Sequence, residues 1–568
     1  MKPHIIIKQI IFLSCVSSAL ADDIYKEPLI TQNVNHKDER NSTYSDCSAI
    51  AIGTTNGQYD KYESLEFRGN SAYAFAYTTY ANTFYTYDAT AYAKGGALNS
   101  GNLNITNCKK VTLDSNYAYA FARSESPDMH HYKNEYSYYG SYAYGGAIHT
   151  LGSLNITNND SVDFSNNRAE AYGASGGAIY SEGSVSIVNN GSVIFAQNYE
   201  YDERGYGSNE KANPGVRSGS GTVLLRSLYI KPNSESDILT LSARTNGHIT
   251  FYDSVYMGNY TNAEVRLNFD YQVSEGVSQK STGDIVFSGK YTEDHLKEIK
   301  GGTAGTATEI ANSRTSELLN TVNLYGGTLR VEDKAVLKTH AINVSDGSNA
   351  TIKVADADVN ASGYDITVNK TGTLEIGGTN GSSKVTANNI NIEKGAMLAL
   401  TRTAVATEEN VVITLAAVDS ISIYNDKTAG IVSSSNLNIA GGATLKADGV
   451  HLSMDGGILN FLATTENKTN LVLTLGAEYD PNSQIMLFSD VDTVKFLQDN
   501  ITATSNSAMV TLNASDYFTG DWVNDKTILV YDKGNIYVSG VNVVIPEPAT
   551  TTLSLLALAA LAARRRRK

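Results

Sequence analysis

Three copies of one short unit, within residues 95–198, constrain this chain more than anything else in it. Gly95-Gly96-Ala97-Leu98 leads to Leu113-Asp114-Ser115-Asn116, Gly145-Gly146-Ala147-Ile148 to Phe164-Ser165-Asn166-Asn167, and Gly176-Gly177-Ala178-Ile179 to Phe195-Ala196-Gln197-Asn198. From first Gly to closing Leu or Phe the units span 18, 19 and 19 residues, whereas the gaps to the next double Gly are 32 and 12. A fixed unit on elastic connectors is a structural repeat with loops between its turns. Apolar residues alternate within each unit: Leu103, Ile105, Val111 and Leu113 in the first, Leu154, Ile156, Val162 and Phe164 in the second, Val185, Ile187, Val193 and Phe195 in the third. Period two over such short runs predicts strands with one buried face. Each unit then holds three strands, the first at Gly-Gly-Ala-Ile, with Asn104, Asn107 and Gly152 at corners. Like residues stacked on like predict an all-β solenoid, a right-handed parallel β-helix. The small Gly and Ala residues let neighbouring turns approach, and Asn116, Asn167 and Asn198 are placed to form a ladder of side-chain amides.

The pairing of Gly-Gly-Ala-Ile/Leu with Phe-x-x-Asn resembles the repeat signature of polymorphic outer-membrane proteins, whose passengers are β-helical surface adhesins. Phe67-Arg68-Gly69-Asn70 supplies an earlier half-unit, and Leu113 stands where that signature has Phe. The runs 249–253, 285–289 and 324–329 resemble the middle region that follows such repeats, so the likeness covers roughly residues 65–345. It implies a secreted, surface-displayed protein.

In chain order, residues 1–21 read as a signal peptide: Lys2 and Lys8, an apolar core, and Ala19-Leu20-Ala21 as a small-x-small cleavage site. A lipoprotein reading through Cys15 fits less well. Export leaves Cys47 and Cys108, which the sequence alone neither pairs nor separates. Residues 22–64 form an N-terminal cap or leader, and 65–221 carry the repeats. The connectors at 71–94 and 117–144 alternate Ala with Tyr, 36 Tyr residues standing against a single Trp in the whole chain. They read equally as an aromatic contact surface for a glycan or protein and as extra strands with tyrosine rows along one flank. His130-His131 beside Asp128 raises a metal site, but adjacent residues of an extended chain point opposite ways, so a solvated loop is expected.

Residues 222–345 continue the passenger-like region, with a helical or mobile excursion near 291–320. Residues 346–545 carry a looser Gly-x-Leu repeat, a less regular β-rich continuation closed by a cap around Trp522. At 546–568, Pro546-Glu547-Pro548, an apolar run to Ala563 and Arg564-Arg565-Arg566-Arg567-Lys568 follow in order. The run Leu553–Ala563 as a helix spans about 16 Å against a bilayer core of ~30 Å, so a span needs Ala549 onward and snorkelling arginines. This order resembles a PEP-CTERM sorting signal, which implies an exosortase-type enzyme as partner and transient membrane contact through a short C-terminal helix. A plain tail anchor is the alternative. No alternating segments for a β-barrel translocator are expected here, which separates the chain from the outer-membrane family.

Removing Lys2, Lys8 and the five-residue basic tail takes the net charge from −15 to −22. So acidic a body disfavours nucleic acid as a partner. No phosphate loop, nucleophile elbow, zinc motif or calcium loop is present, and no cofactor, metal or catalytic residue is assigned. Aligned on their Leu or Phe, the three units place Thr112, Asp163 and Ile194 in one column and Asp114, Ser165 and Ala196 in another. Neither stacks two acids or pairs Asp with a base, so a non-catalytic adhesin-like or structural role is expected. A polysaccharide lyase or hydrolase and a passive envelope spacer are the alternatives.

Overall fold

Alternating burial along the short strands is the local rule from which the molecule is built. Leu103-Asn104-Ile105-Thr106 and Leu154-Asn155-Ile156-Thr157 each bury their first and third side chains, and the two strands lie in parallel, Leu103 beside Leu154 and Ile105 beside Ile156. Because the side-chain period is two, this register keeps every apolar residue on the inner face from one turn to the next. The computed structural model describes residues 29–30, 33–37, 43–47, 50–51, 56–79, 90–125, 140–171, 173–202, 222–259, 263–274, 277–379, 381–402, 423–424, 427–475 and 483–540.

Successive turns repeat the pairing. One inward column runs through Leu65, Val111, Val162, Val193, Ile249, Ile285, Leu329, Ile352, Leu374, Leu398, Leu445 and Leu471. At the usual strand spacing these rungs give a coil roughly 50 Å long. One hydrophobic core continues along it, from Tyr59 to Val538. The protein is all-β, apart from a few short helices.

Several expectations are corrected. The double glycines are bends, and the first strand of each unit starts two or three residues later, at Leu98–Ser100, Ile148–Thr150 and Ile179–Ser181. In the third unit the other two strands fuse into Val185–Ala196. Leu29–Ile30 and Asn33–Lys37 already pair with Ser64–Arg68 and Ser71–Thr79, so the coil begins before residue 65. The expected excursion contains two helices, α1 (Thr292–Ile299) and α2 (Ala307–Arg314). The far end closes in antiparallel strands: Asn535–Ser539 pairs with Gln484–Ser489 and Ile528–Asp532, and Thr493–Phe496 with Ile501–Thr504.

The Ala-Tyr connectors form a fin of two parallel sheets. One comprises Asn33–Lys37, Ser71–Thr79, Tyr117–Glu125, Arg168–Ala171 and Tyr199–Asp202. The other comprises Thr43–Cys47, Thr90–Lys94, Gly140–Tyr144 and Gly173–Ser175. Ala74, Ala93, Ala118, Ala120, Ala143, Ala169 and Ala171 form a fully buried cluster there, a spine of methyl groups. Its C-terminal edge is closed by Thr222–Ile230, which pairs antiparallel with Tyr199–Asp202. The helices finish that edge. Val223 N donates to Glu309 Oε1 (3.0 Å) and Leu225 N to Ser313 Oγ (3.0 Å), while Leu296, Ile299 and Ile310 pack on Tyr199, Tyr201, Val223 and Leu225. An otherwise open strand edge is thereby covered.

Candidate functional site

The repeat residues build the scaffold of the first turns. Gly95, Gly145 and Gly176 have φ of +60°, +65° and +72°. A Cβ on the next glycine, Gly146, would lie 2.0 Å from Gly177 O, and one on Gly96 2.0 Å from Gly146 O. One glycine thus makes a left-handed turn and its neighbour admits the backbone of the next turn. Leu113 lies in register with Phe67 and Phe164, and from Phe164 the rings stack through Phe195 (4.7 Å), Phe251 (4.7 Å) and Phe287 (5.3 Å).

At the corner after this column, four buried asparagines form one ladder. Nδ2 of Asn70, Asn116 and Asn167 donates to Oδ1 of the next asparagine at 2.9, 2.9 and 2.8 Å, ending on Asn198. Backbone N–H groups of Asn70, Asn116 and Asn167 donate to the same oxygens at 3.1, 3.0 and 3.2 Å. The final rung is Asp253, whose Oδ2 accepts from Asn198 N and Nδ2, both at 2.9 Å. Its Oδ1 is buried without a partner, and burial pushes its pKa up to about 7 against those hydrogen bonds. A second corner stacks Cys108, Asn159 and Asn190. Cys108 is a buried free thiol, its pKa pushed up to about 11 by burial; the side chain of Cys47 lies outside the described residues.

The two faces of the fin carry the tyrosines outward from the alanine spine. On one, Tyr73, Tyr117 and Tyr119 lie 5.5–6.1 Å apart. Arg168 sits 4.6 Å over the Tyr117 ring and is ion-paired with Glu170, which accepts from Tyr117 Oη at 2.5 Å. On the other, Tyr92 stacks on Tyr142 at 5.1 Å, and Tyr142 on Tyr144 at 6.2 Å. Tyr144 meets the coil, 4.5 Å from Tyr180 and 6.1 Å from His149.

His149 and Tyr180 belong to an outward column of the coil itself, Asn99, His149, Tyr180, Tyr229 and Tyr256. Its rings follow one another at 5.5, 5.4 and 4.6 Å. The row starts buried beneath the fin and emerges half-exposed at Tyr229 and Tyr256, where Arg226 lies 5.7 and 5.4 Å from the two rings. His149 Nδ1 contacts Asn99 Oδ1 at 2.8 Å. Burial, with Lys94 a second cause, holds its pKa down at about 3. Aromatic rings therefore run without a break from the fin onto the coil. Of the coil's rings, Tyr229 and Tyr256 reach the surface, with Arg226 beside them.

The acid columns need a correction. The half-unit at 64–68 adds Glu66 to the Thr112–Asp163 column and Arg68 to the Asp114 column, and Arg68 pairs with Asp114 at 3.0 Å and Glu66 at 2.8 Å. Burial, with Asp114 adding to it, raises the pKa of Asp163. Further along the same face, Asn246, His248, Asp284, Arg330 and Glu332 line a hollow of about 470 Å³. Its charges satisfy one another, Arg330 reaching Asp284 at 3.3 Å and Glu332 at 2.7 Å, while His248 Nε2 meets Ser192 Oγ at 3.0 Å. Among the described residues no cluster of three metal-ligating side chains occurs.

His130-His131 and both terminal signals, including Ala19, Ala21, Pro546, Glu547, Pro548 and Arg564 to Arg567, lie outside the described residues. No helix among the described residues is long and apolar enough to cross a membrane.

The coil and its stacked corners define a repeat-built all-β protein. Residues 161–182 match the Chlamydia polymorphic membrane protein repeat, and residues 544–568 match the PEP-CTERM protein-sorting motif. No curated protein and no solved structure shows a match. With that motif the chain is an exported repeat protein of the cell envelope or surface, and the motif implies recognition by an exosortase-type sorting enzyme.

Proposed function

We propose that this protein is a non-catalytic, adhesin-like surface protein whose coil is a right-handed β-helix. The handedness follows from the rule that crossovers between parallel strands of one sheet turn right-handed. Its ligand is a glycan or protein surface laid along the aromatic row. The observation that carries this reading is the set of half-exposed rings at Tyr92, Tyr142 and Tyr144 on the fin and at Tyr229 and Tyr256 on the coil. Tyrosine gives large contact area at low entropic cost, and weak contacts repeated along a rigid axis add through avidity. Removing both Tyr connectors, 71–94 and 117–144, is expected to abolish binding to host or matrix surfaces, and unchanged adhesion would sink the reading.

The hollow at His248, Asp284, Arg330 and Glu332 favours a second reading, a polysaccharide lyase or hydrolase. It predicts new reducing ends from an acidic or neutral glycan, lost in His248→Ala. A passive envelope spacer predicts neither binding nor turnover.

A further inference from the structure

We propose that the hollow over Thr250 and Val286 is a binding pocket for one uncharged sugar unit of a glycan chain, and that it rejects acidic sugars. This rests on the hollow being a glycan site and not on turnover there. The register of the coil makes the shape. Ile194, Thr250, Val286 and Arg330 follow one another in one outward column. Thr250 and Val286 are short, and each is only 7% exposed although it points away from the core. Longer side chains stand up around them: His248 and Asp284 on one side, Tyr252 on the other, with Arg330 and Glu332 at the end. The enclosed volume of about 470 Å³ falls within the range of small-ligand pockets, roughly 300–1,000 Å³.

The lining decides the class of ligand. Tyr252 is steadied by an edge contact with Tyr291 at 4.9 Å, so an aromatic wall stands ready for the C–H face of a sugar ring. Arg330 spends Nε and Nη2 on Glu332 and Nη1 on Asp284. One guanidinium between two carboxylates leaves the lining acidic, and an incoming uronate meets like charge with no uncommitted cation to hold it. Elimination from a uronate lacks its cation for the same reason. Hydroxyl groups are what the hollow can hold. Asp284 Oδ1 has no partner among the described residues and accepts from a sugar hydroxyl. His248 is held through Nε2 by Ser192 Oγ at 3.0 Å, which leaves Nδ1 for a second hydroxyl.

The full chain, solubilised in detergent at neutral pH, is tested by saturation-transfer NMR. The probes are the tetrasaccharides of glucose, mannose, galactose and N-acetylglucosamine, and tetragalacturonate. At least one neutral tetrasaccharide should receive saturation, strongest on a single sugar unit, and tetragalacturonate none. Val286→Trp fills the hollow from its floor and should abolish the signal. Asp284→Ala should weaken binding about tenfold, with circular dichroism unchanged in both variants. No transfer to any neutral tetrasaccharide, equal transfer to tetragalacturonate, or a signal that survives both substitutions would each overturn the proposal. New reducing ends are assayed on the same samples. Binding without them leaves the pocket standing and removes the enzyme reading, so the two fail separately.

Discussion

The first four turns and the turns after residue 321 solve one problem, turning a corner in a stacked coil, in two ways. In the early turns the corner is buried and its polar groups are carried by the asparagine ladder. Those turns also tolerate long excursions, with Val111 and Val162 stacked although 51 residues apart. In the later turns Leu329, Ile352 and Leu374 stack at 23 and 22 residues, and corners rest on residues with left-handed backbone such as Asp333, Asn349, Asp356 and Gly347, a conformation the early corners share at Ser115, Asn166 and Gln197. The late corners are cheap and local; the early ones depend on their neighbours. A turn that must carry a fin needs corners that do not move.

The largest effect that tests this contrast is expected at the glycines. In Gly146→Ala the new Cβ meets backbone of the next turn at Gly177 O and of its own turn at Arg168 N, neither of which can swing aside. We expect a loss of more than about 4 kcal/mol in denaturant unfolding, with the fin lost first. Gly347, in a late corner at φ +69°, has open space where a Cβ would stand, with no atom within 4 Å. Gly347→Ala should cost only the left-handed backbone term, about 1–2 kcal/mol. Equal losses at the two sites would remove the distinction.

Next in size is a rung of the ladder. Asn167→Ala leaves Asn116 N and Leu113 O without their buried partner, so a loss of about 3 kcal/mol is expected. Asn343 also stacks on an asparagine, Asn323, at 3.1 Å, but on the half-exposed outer face. Asn343→Ala should cost about 0.5 kcal/mol or less, measured by the same unfolding curves.

How much of the fold and site is legible in the sequence depends on spacing. Gly-Gly and Phe-x-x-Asn recur at near-constant distance, so the register of Leu113, Phe164 and Phe195 reads directly. Asp253 escapes because it follows Phe251 by two residues, where the asparagines follow their partners by three. Arg68 escapes as the partner of Asp114 because its half-unit lacks the double Gly and so falls outside an alignment of the three full units. His149 and Tyr180 carry a signal, the residue after each Gly-Gly-Ala-Ile, but Asn99 at the same place hides its aromatic character. The Ala-Tyr connectors are ambiguous for a physical reason. Alternation fixes two faces without saying what covers either, and only a second sheet with the same alternation turns the alanines inward.

The effect most specific to the early turns is the charge at the end of their ladder. Asp253 holds its proton up to about pH 7 when folded, against about 4 in an unfolded chain. The folded state therefore binds a proton that the unfolded chain has released. Its contribution is complete below pH 4 and is lost as pH rises to 7, by about 1.4 kcal/mol per pH unit inside that window. His149 works the other way. Its folded pKa of about 3 lies below the usual 6.5, so stability falls as pH drops below 6.5. The two slopes oppose each other between pH 4 and 6.5, and the wild-type curve alone can look flat. Asp253→Asn keeps an acceptor for Asn198 and removes the titration, so wild-type stability minus variant stability should fall by about 1.4 kcal/mol from pH 5 to pH 6. A difference independent of pH would mean that Asp253 is ionised in the folded coil, and that the ladder ends on a buried charge instead of on an acid.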